Sequence, residues 1–156
     1  MRFLNIVLFS FFFVLFIGCG EKPIFAEKND LGGSWNYDDK LSFQIEINKL
    51  DLSYDLVLSL TYGQDFGYQN IYVKIITQYP NGKEDEDILS LNLTNGQGIF
   101  LGDCSSSKCE IDLLLQEKFK FNQEGKHVIT ILQNGRVENL EDVYAVELKL
   151  FNLKEN

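Results

Sequence analysis

From Leu41 onward the chain carries apolar residues at every second position, and that period decides what it can fold into. Leu41, Phe43, Ile45 and Ile47 alternate with Ser42, Gln44, Glu46 and Asn48. Leu56, Leu58, Leu60 and Tyr62 repeat the pattern, as do Leu89, Leu91 and Leu93. Ile71, Val73 and Ile75, then His127, Ile129 and Ile131, then Val146, Leu148 and Leu150 extend it. Successive side chains of a strand point to opposite faces, so this alternation marks strands with one face in a core and one in water. It predicts strands over 41–49, 54–62, 71–79, 88–94, 110–116, 127–133 and 143–150. Pro80-Asn81-Gly82, Asn95-Gly96, Gly125 and Asn134-Gly135 supply turns between them. The expected fold is all-β, an antiparallel β-sandwich of about 7–8 strands. One stretch admits a second reading. Ser107-Lys108-Cys109-Glu110 has capping-box spacing, and Ile111, Leu114, Leu115 and Phe119 share a helical face, so a short helix near 110–120 is the alternative there.

The first 20 residues are of another kind. Arg2 is their one charge, followed by FLNIVLFSFFFVLFI over residues 3–17. As a helix that run spans roughly 22 Å, short of the ~30 Å hydrocarbon core. A charged start, a short apolar run and a small residue at the cut site describe a secretory signal. Phe16-Ile17-Gly18-Cys19 resembles a bacterial lipobox, although Leu is usual where Phe16 stands. The reading is a lipoprotein anchored through Cys19, whose acyl chains would each contribute ~0.8 kcal/mol per buried CH₂. An uncleaved anchor helix and a plain signal peptide with a structural Cys are the alternatives. Residues 20–33, GEKPIFAEKNDLGG, show no repeating apolar face and read as a flexible tether reaching at most ~45–50 Å. The organisation expected is therefore 1–18 signal peptide, 19–33 lipidated Cys and tether, and 34–156 β-sandwich domain.

Composition narrows the function. A net charge of −9 argues against nucleic acid as partner, because such binders need a basic face to release counterions. One His and three Cys leave few side chains for metal or nucleophile chemistry, and neither a cofactor nor a metal site is expected. Once Cys19 is lipidated, Cys104 and Cys109 remain as a pair across Ser105-Ser106-Ser107-Lys108. Outside the cytoplasm they read as a hairpin disulfide, with free thiols as the alternative. Glu84-Asp85-Glu86-Asp87 reads as a solvated, charge-extended hairpin loop, since no calcium-loop pattern surrounds it. Trp35, Asn36, Asp38 and Asp39 form a candidate interaction surface for sugar or peptide. Their alternative role is a Trp plugging the core and a polar turn leading into the strand at Leu41. His127 lacks a Ser or Cys placed by motif, and a structural role is preferred.

Several short stretches in order point to one family. After the lipobox Cys come Gly33-Ser34-Trp35-Asn36 with Asp38-Asp39, then Leu41-Ser42-Phe43, then Tyr79-Pro80-Asn81-Gly82-Lys83. Phe119-Lys120-Phe121 leading to Gly125, then Gln133, Arg136 and Leu140, complete the series. In this order and spacing the chain resembles the gliding-motility lipoprotein H family (GldH) of Bacteroidetes, from the signal to near the C-terminus. It departs at His127, where the family usually has Tyr. It departs again at Leu140-Glu141-Asp142-Val143-Tyr144-Ala145-Val146-Glu147, where the family often reads Leu-x-Gly-Ile-x-Asp-Val-Gly. The resemblance implies a non-enzymatic, membrane-anchored accessory of the gliding machinery, partnered by other envelope proteins of gliding and type IX secretion. It implies a place in the cell envelope, at the outer membrane ahead of the inner. It carries over no catalytic residue; Cys19, as the lipid attachment point, is the one position with a defined role.

Two other readings stand beside it. A surface module for glycan or peptide would need Trp35, Tyr62, Tyr68 and Tyr72 to converge on an exposed patch. A hydrolase would need two or more carboxylates facing one cleft.

Overall fold

In the computed structural model, which describes residues 22–153, β-strands follow one another without a helix among the described residues. They are β1 (Phe25–Asp30), β2 (Ser34–Asn36), β3 (Leu41–Ile47), β4 (Ser53–Gly63), β5 (Asn70–Gln78), β6 (Glu84–Asn92), β7 (Asp103–Ser105), β8 (Lys108–Phe119), β9 (Gly125–Gln133), β10 (Asn139–Glu141) and β11 (Val143–Leu153). All seven strands expected from the alternation are present, and β1, β2, β7 and β10 join them. One sheet runs β1-β11-β4-β8-β7 and the other β3-β9-β5-β6, every pair antiparallel. The pair β10-β2 bridges them, because β2 follows β1 of the first sheet and precedes β3 of the second.

The inward residues of both sheets merge into one core. Leu41, Phe43, Ile45 and Ile47 of β3 are buried while Ser42, Gln44 and Glu46 are exposed, so the period of two in the sequence is the period of burial. Leu58, Leu60, Val73, Ile131, Leu148 and Leu150 are fully enclosed. Each such side chain contributes about 1.5–3 kcal/mol relative to its exposed state.

One alternative is decided and two expectations are corrected. Residues 108–119 form β8, the strand expected over 110–116, and not the alternative short helix near 110–120. Cys109, Ile111, Leu113 and Leu115 turn inward while Glu110, Asp112 and Leu114 face out. Pairing with β4 from Gly63↔Lys108 to Tyr54↔Phe119 supplies backbone partners that an isolated helical turn lacks. Next, Glu84–Asp87 is not a loop but the first part of β6, paired from Gln78↔Glu84 to Ile75↔Asp87. Its four carboxylates tolerate one another because β6 is an edge strand in water, and Lys74 Nζ pairs with Glu86 at 2.7 Å. Charge on an edge also discourages pairing with a foreign strand. Finally, the stretch 20–33 is not a tether throughout. Phe25–Asp30 pair with β11 from Phe25↔Leu150 to Asp30↔Ala145, and Phe25 and Leu31 pack on the core.

The registers give the sandwich two ends. The chain enters β1 beside Leu150, where the turn at Tyr79–Lys83 also lies, next to Gly125. The far end gathers the loops 31–40, 64–69, 93–102 and 134–142, together with the β7-β8 hairpin, since Tyr62 pairs with both Val143 and Cys109. Tyr62 is buried there against Gly102, and burial raises its hydroxyl pKa. A Cβ on Gly102 would lie 2.5 Å from the Tyr62 hydroxyl and 3.0 Å from the Glu110 carbonyl. Gly102→Ala is therefore expected to cost about 1–3 kcal/mol in urea unfolding, and Tyr62→Phe in the same chain to recover part of it. An unchanged midpoint in the single variant would show that this contact yields freely.

Candidate interaction surface

Trp35 is not part of an exposed platform. It sits at the centre of the β2-β10 pair opposite Leu140, and both side chains are buried, Trp35 at 0 % exposure. Its Nε1 donates to the Asp39 carbonyl at 3.3 Å. Burial wins because β2 crosses from one sheet to the other, and the alternating inner position of a three-residue strand over the open end of the core belongs to its middle residue. Asn36, Asp38 and Asp39 build the turn that follows. The Asp38 amide donates to Asn36 Oδ1 at 2.8 Å, and the Asn36 amide to Asp39 Oδ2 at 2.9 Å. Asn36 Nδ2 donates to Asn139 Oδ1 at 2.6 Å, which ties the turn to β10. With Trp35 buried and the Asn36 and Asp39 side chains engaged in the turn, the four residues do not present one exposed surface.

Of the four aromatic residues required for a glycan or peptide patch, Tyr62 is buried with Trp35, on the core. Tyr68 and Tyr72 are exposed by 43 % and 46 %. They line a cavity of about 280 Å³ at the far end, together with Asn70, Ile71, Arg136 and Val137. The neighbouring loop is built around Gln133. Its Nε2 donates to the Val137 and Glu138 carbonyls at 3.0 and 2.9 Å, and its Oε1 accepts from the Gly135 amide at 2.9 Å. The Asn134 amide donates to the Tyr72 carbonyl at 2.8 Å, and the Tyr37 hydroxyl to the Gly135 carbonyl at 2.7 Å. The role of Arg136 in this arrangement was missed in the sequence. Its signal there is that it is the one Arg besides Arg2, placed directly after Asn134-Gly135.

The remaining candidates serve structure. Cys104 and Cys109 face one another across the β7-β8 ladder, joined by a disulfide, on either side of a turn in which Ser106 has φ 57°. His127 is buried, its Nδ1 lies 3.1 Å from the Gly125 carbonyl, and its ring meets Phe121 and Tyr79 edge-on. Tyr79 donates to Asp85 Oδ2 at 2.8 Å, and that bond, with burial and the charges of Asp85 and Asp87, raises the phenol pKa. On the outer face of the first sheet Lys149 meets Asp112 at 3.2 Å and Glu147 at 3.6 Å, and Ser59 bonds Asp112. Burial would lower the Lys149 pKa, but Asp112, Glu147 and Glu110 outweigh it and raise it above 10.5. Among the described residues no three His, Cys, Asp or Glu side chains converge as metal ligands. Cys19 and the signal segment 1–18 lie outside the described residues.

Comparison with known proteins adds two findings. The model of a family described as GldH lipoprotein matches residues 23–150. The chain is 25 % identical over 146 residues to the gliding motility lipoprotein GldH homolog of Christiangramia forsetii, covering 91 % of this chain and 90 % of that protein. It is 23 % identical over 137 residues to the gliding motility lipoprotein GldH of Flavobacterium johnsoniae, covering 85 % of each.

Proposed function

Because this chain belongs to the GldH lipoprotein family, we propose that it is a lipid-anchored, non-enzymatic component of the bacterial gliding machinery, linked to type IX secretion and held at the outer membrane through Cys19. The match over residues 23–150 carries this reading, since it runs from before β1 into β11 and so takes in every strand, the last as far as Leu150. The lipobox at Phe16-Ile17-Gly18-Cys19 supports the anchor. With β1 beginning at Phe25, five residues separate Cys19 from the sheet, a reach of at most ~16–18 Å. The sandwich would then stand close to the bilayer, entered at one end, with its far-end loops turned toward other envelope proteins. Its contribution is positional: lipid fixes where it sits, and the far end offers side chains to a partner.

A clean deletion of the gene is expected to abolish single-cell movement and colony spreading and to deplete the secreted proteome. Wild type should restore all three, and Cys19→Ala should not. Normal movement and secretion in the deletion would overturn the reading, and full rescue by Cys19→Ala would overturn the anchor.

A further inference from the structure

Arg136 is, besides Arg2, the one Arg in a chain with 23 Asp+Glu and 14 Lys+Arg. Among the described residues it nevertheless meets no carboxylate. It borders the far-end cavity beside two half-open tyrosine rings, with Ile71, Val137 and Leu140 as apolar lining. The loop bearing it is held by the Gln133 side chain and by backbone bonds to Tyr72 and from Tyr37. With the loop backbone already braced, binding has to order the exposed Arg136 side chain but not the loop that carries it.

We propose that this pocket binds a carboxylate-bearing, apolar peptide segment of a partner protein. Arg136 takes the carboxylate in a two-pronged hydrogen-bonded pair, the geometry for which guanidinium is suited. Tyr68 and Tyr72 flank the neighbouring aliphatic or aromatic side chain, which fills the apolar lining. An apolar side chain fits better than a saccharide because Ile71, Val137 and Leu140 give the lining an apolar wall, and the two polar amides beside it are largely committed: Gln133 to its own loop and Asn70 Nδ2 to Ser90 Oγ at 2.9 Å. The Tyr68 and Tyr72 hydroxyls remain open to either ligand, so a sugar acid belongs among the probes. Arg136, the one cation in the pocket lining, suits a single carboxylate, while the net charge of −9 repels a polyanion. The carboxylate can come from a chain terminus or from an Asp or Glu side chain, the same chemistry from two sources. The proposal deepens the scaffolding reading and rests on it for the partner being an envelope protein; the binding itself is independent of gliding.

The test uses the full lipidated chain in detergent micelles, ¹⁵N-labelled, with four probes: acetyl-Gly-Leu-Phe as the free acid, the same peptide as its C-terminal amide, acetyl-Gly-Phe-Asp-Gly-amide, and glucuronic acid. The free acid or the Asp peptide is expected to shift the Asn134 and Gly135 amides and the Arg136 side-chain signal saturably. The stronger of the two identifies the source of the carboxylate. The amide peptide should bind roughly ten-fold weaker or worse. Arg136→Gln should erase the acid-over-amide preference, Arg136→Lys should keep part of it, and Tyr72→Ala should weaken acid and amide alike. Amide dispersion in each variant reports that the fold is intact. Equal binding of acid and amide, tighter binding of glucuronic acid, or no shift at about 10 mM peptide would overturn the proposal. No peptide binding to the wild-type chain, with gliding lost on deletion, sinks the pocket alone and leaves the machinery reading standing; acid-selective peptide binding, with gliding unchanged on deletion, sinks the machinery reading and leaves the pocket.

Discussion

Trp35→Ala is expected to remove about 3–5 kcal/mol of stability, a large share of the 5–15 kcal/mol a domain of this kind possesses. The indole is wholly enclosed in β2, opposite Leu140, where the two sheets are bridged. Truncation leaves a void that rigid neighbours cannot fill, and it strands the Asp39 carbonyl that Nε1 had engaged. Thermal unfolding should fall by roughly 10 °C or more, whereas Trp35→Phe, which keeps most of the volume, should cost markedly less. Asp38→Ala, in the exposed part of the same turn, should stay within about 1 kcal/mol. A Trp35→Ala variant with a wild-type melting curve would contradict the burial and return Trp35 to the surface as a binding platform.

Where the sequence could be read, it was because a local signal and the global fold agreed. Strands β3, β4, β5, β9 and β11 carry a core on one face and show it at every second residue. The misreadings fall where that agreement fails. β1 lies on a sheet edge with all six of its positions from Phe25 to Asp30 outward or only half-covered in no alternating order, so its pairing with β11 leaves no periodic trace. β2, β7 and β10 are three residues long, too short for any period to appear. The acidic start of β6 is exposed on both faces and therefore resembles a loop. Over 110–120 the apolar positions satisfy both helical and strand spacing, and only the long ladder to β4 decides between them. The site was hidden for a related reason. Tyr68–Tyr72 and Gln133–Leu140 are brought together by the pairing of Val73 with Gln133, a contact between strands sixty residues apart in sequence. Tyr68 and Tyr72 were visible as aromatics, but their true neighbour is Arg136, not Trp35 or Tyr62.

Excising residues 22–31 while keeping Cys19 should make the protein associate, because those residues cover an edge. Their removal leaves the β1-facing edge of β11 from Ala145 to Leu150 unpaired, although β11 keeps its ladder to β4, and it removes the bonds from the Ile24 amide to Leu150 and from the Leu31 amide to Tyr144, each 2.8 Å. Each lost bond is worth a net ~0.5–1.5 kcal/mol, and the packing of Phe25 and Leu31 is lost as well. Against this, the excised residues no longer need ordering, at about 1–2 kcal/mol each, so the net loss of stability is modest. The larger consequence is a bare strand carrying Val146, Leu148 and Leu150 in alternation, a template for a second chain. In detergent, sedimentation should shift from monomer toward dimer and larger species as concentration rises. Replacing residues 20–24 with an equal Gly/Ser stretch should leave both stability and association as in wild type, since the ladder begins only at Phe25 apart from the Ile24 amide. If the excised chain stays monomeric and as stable as wild type, then 22–31 serve as a tether after all. The sandwich would then stand farther from the membrane than five residues allow.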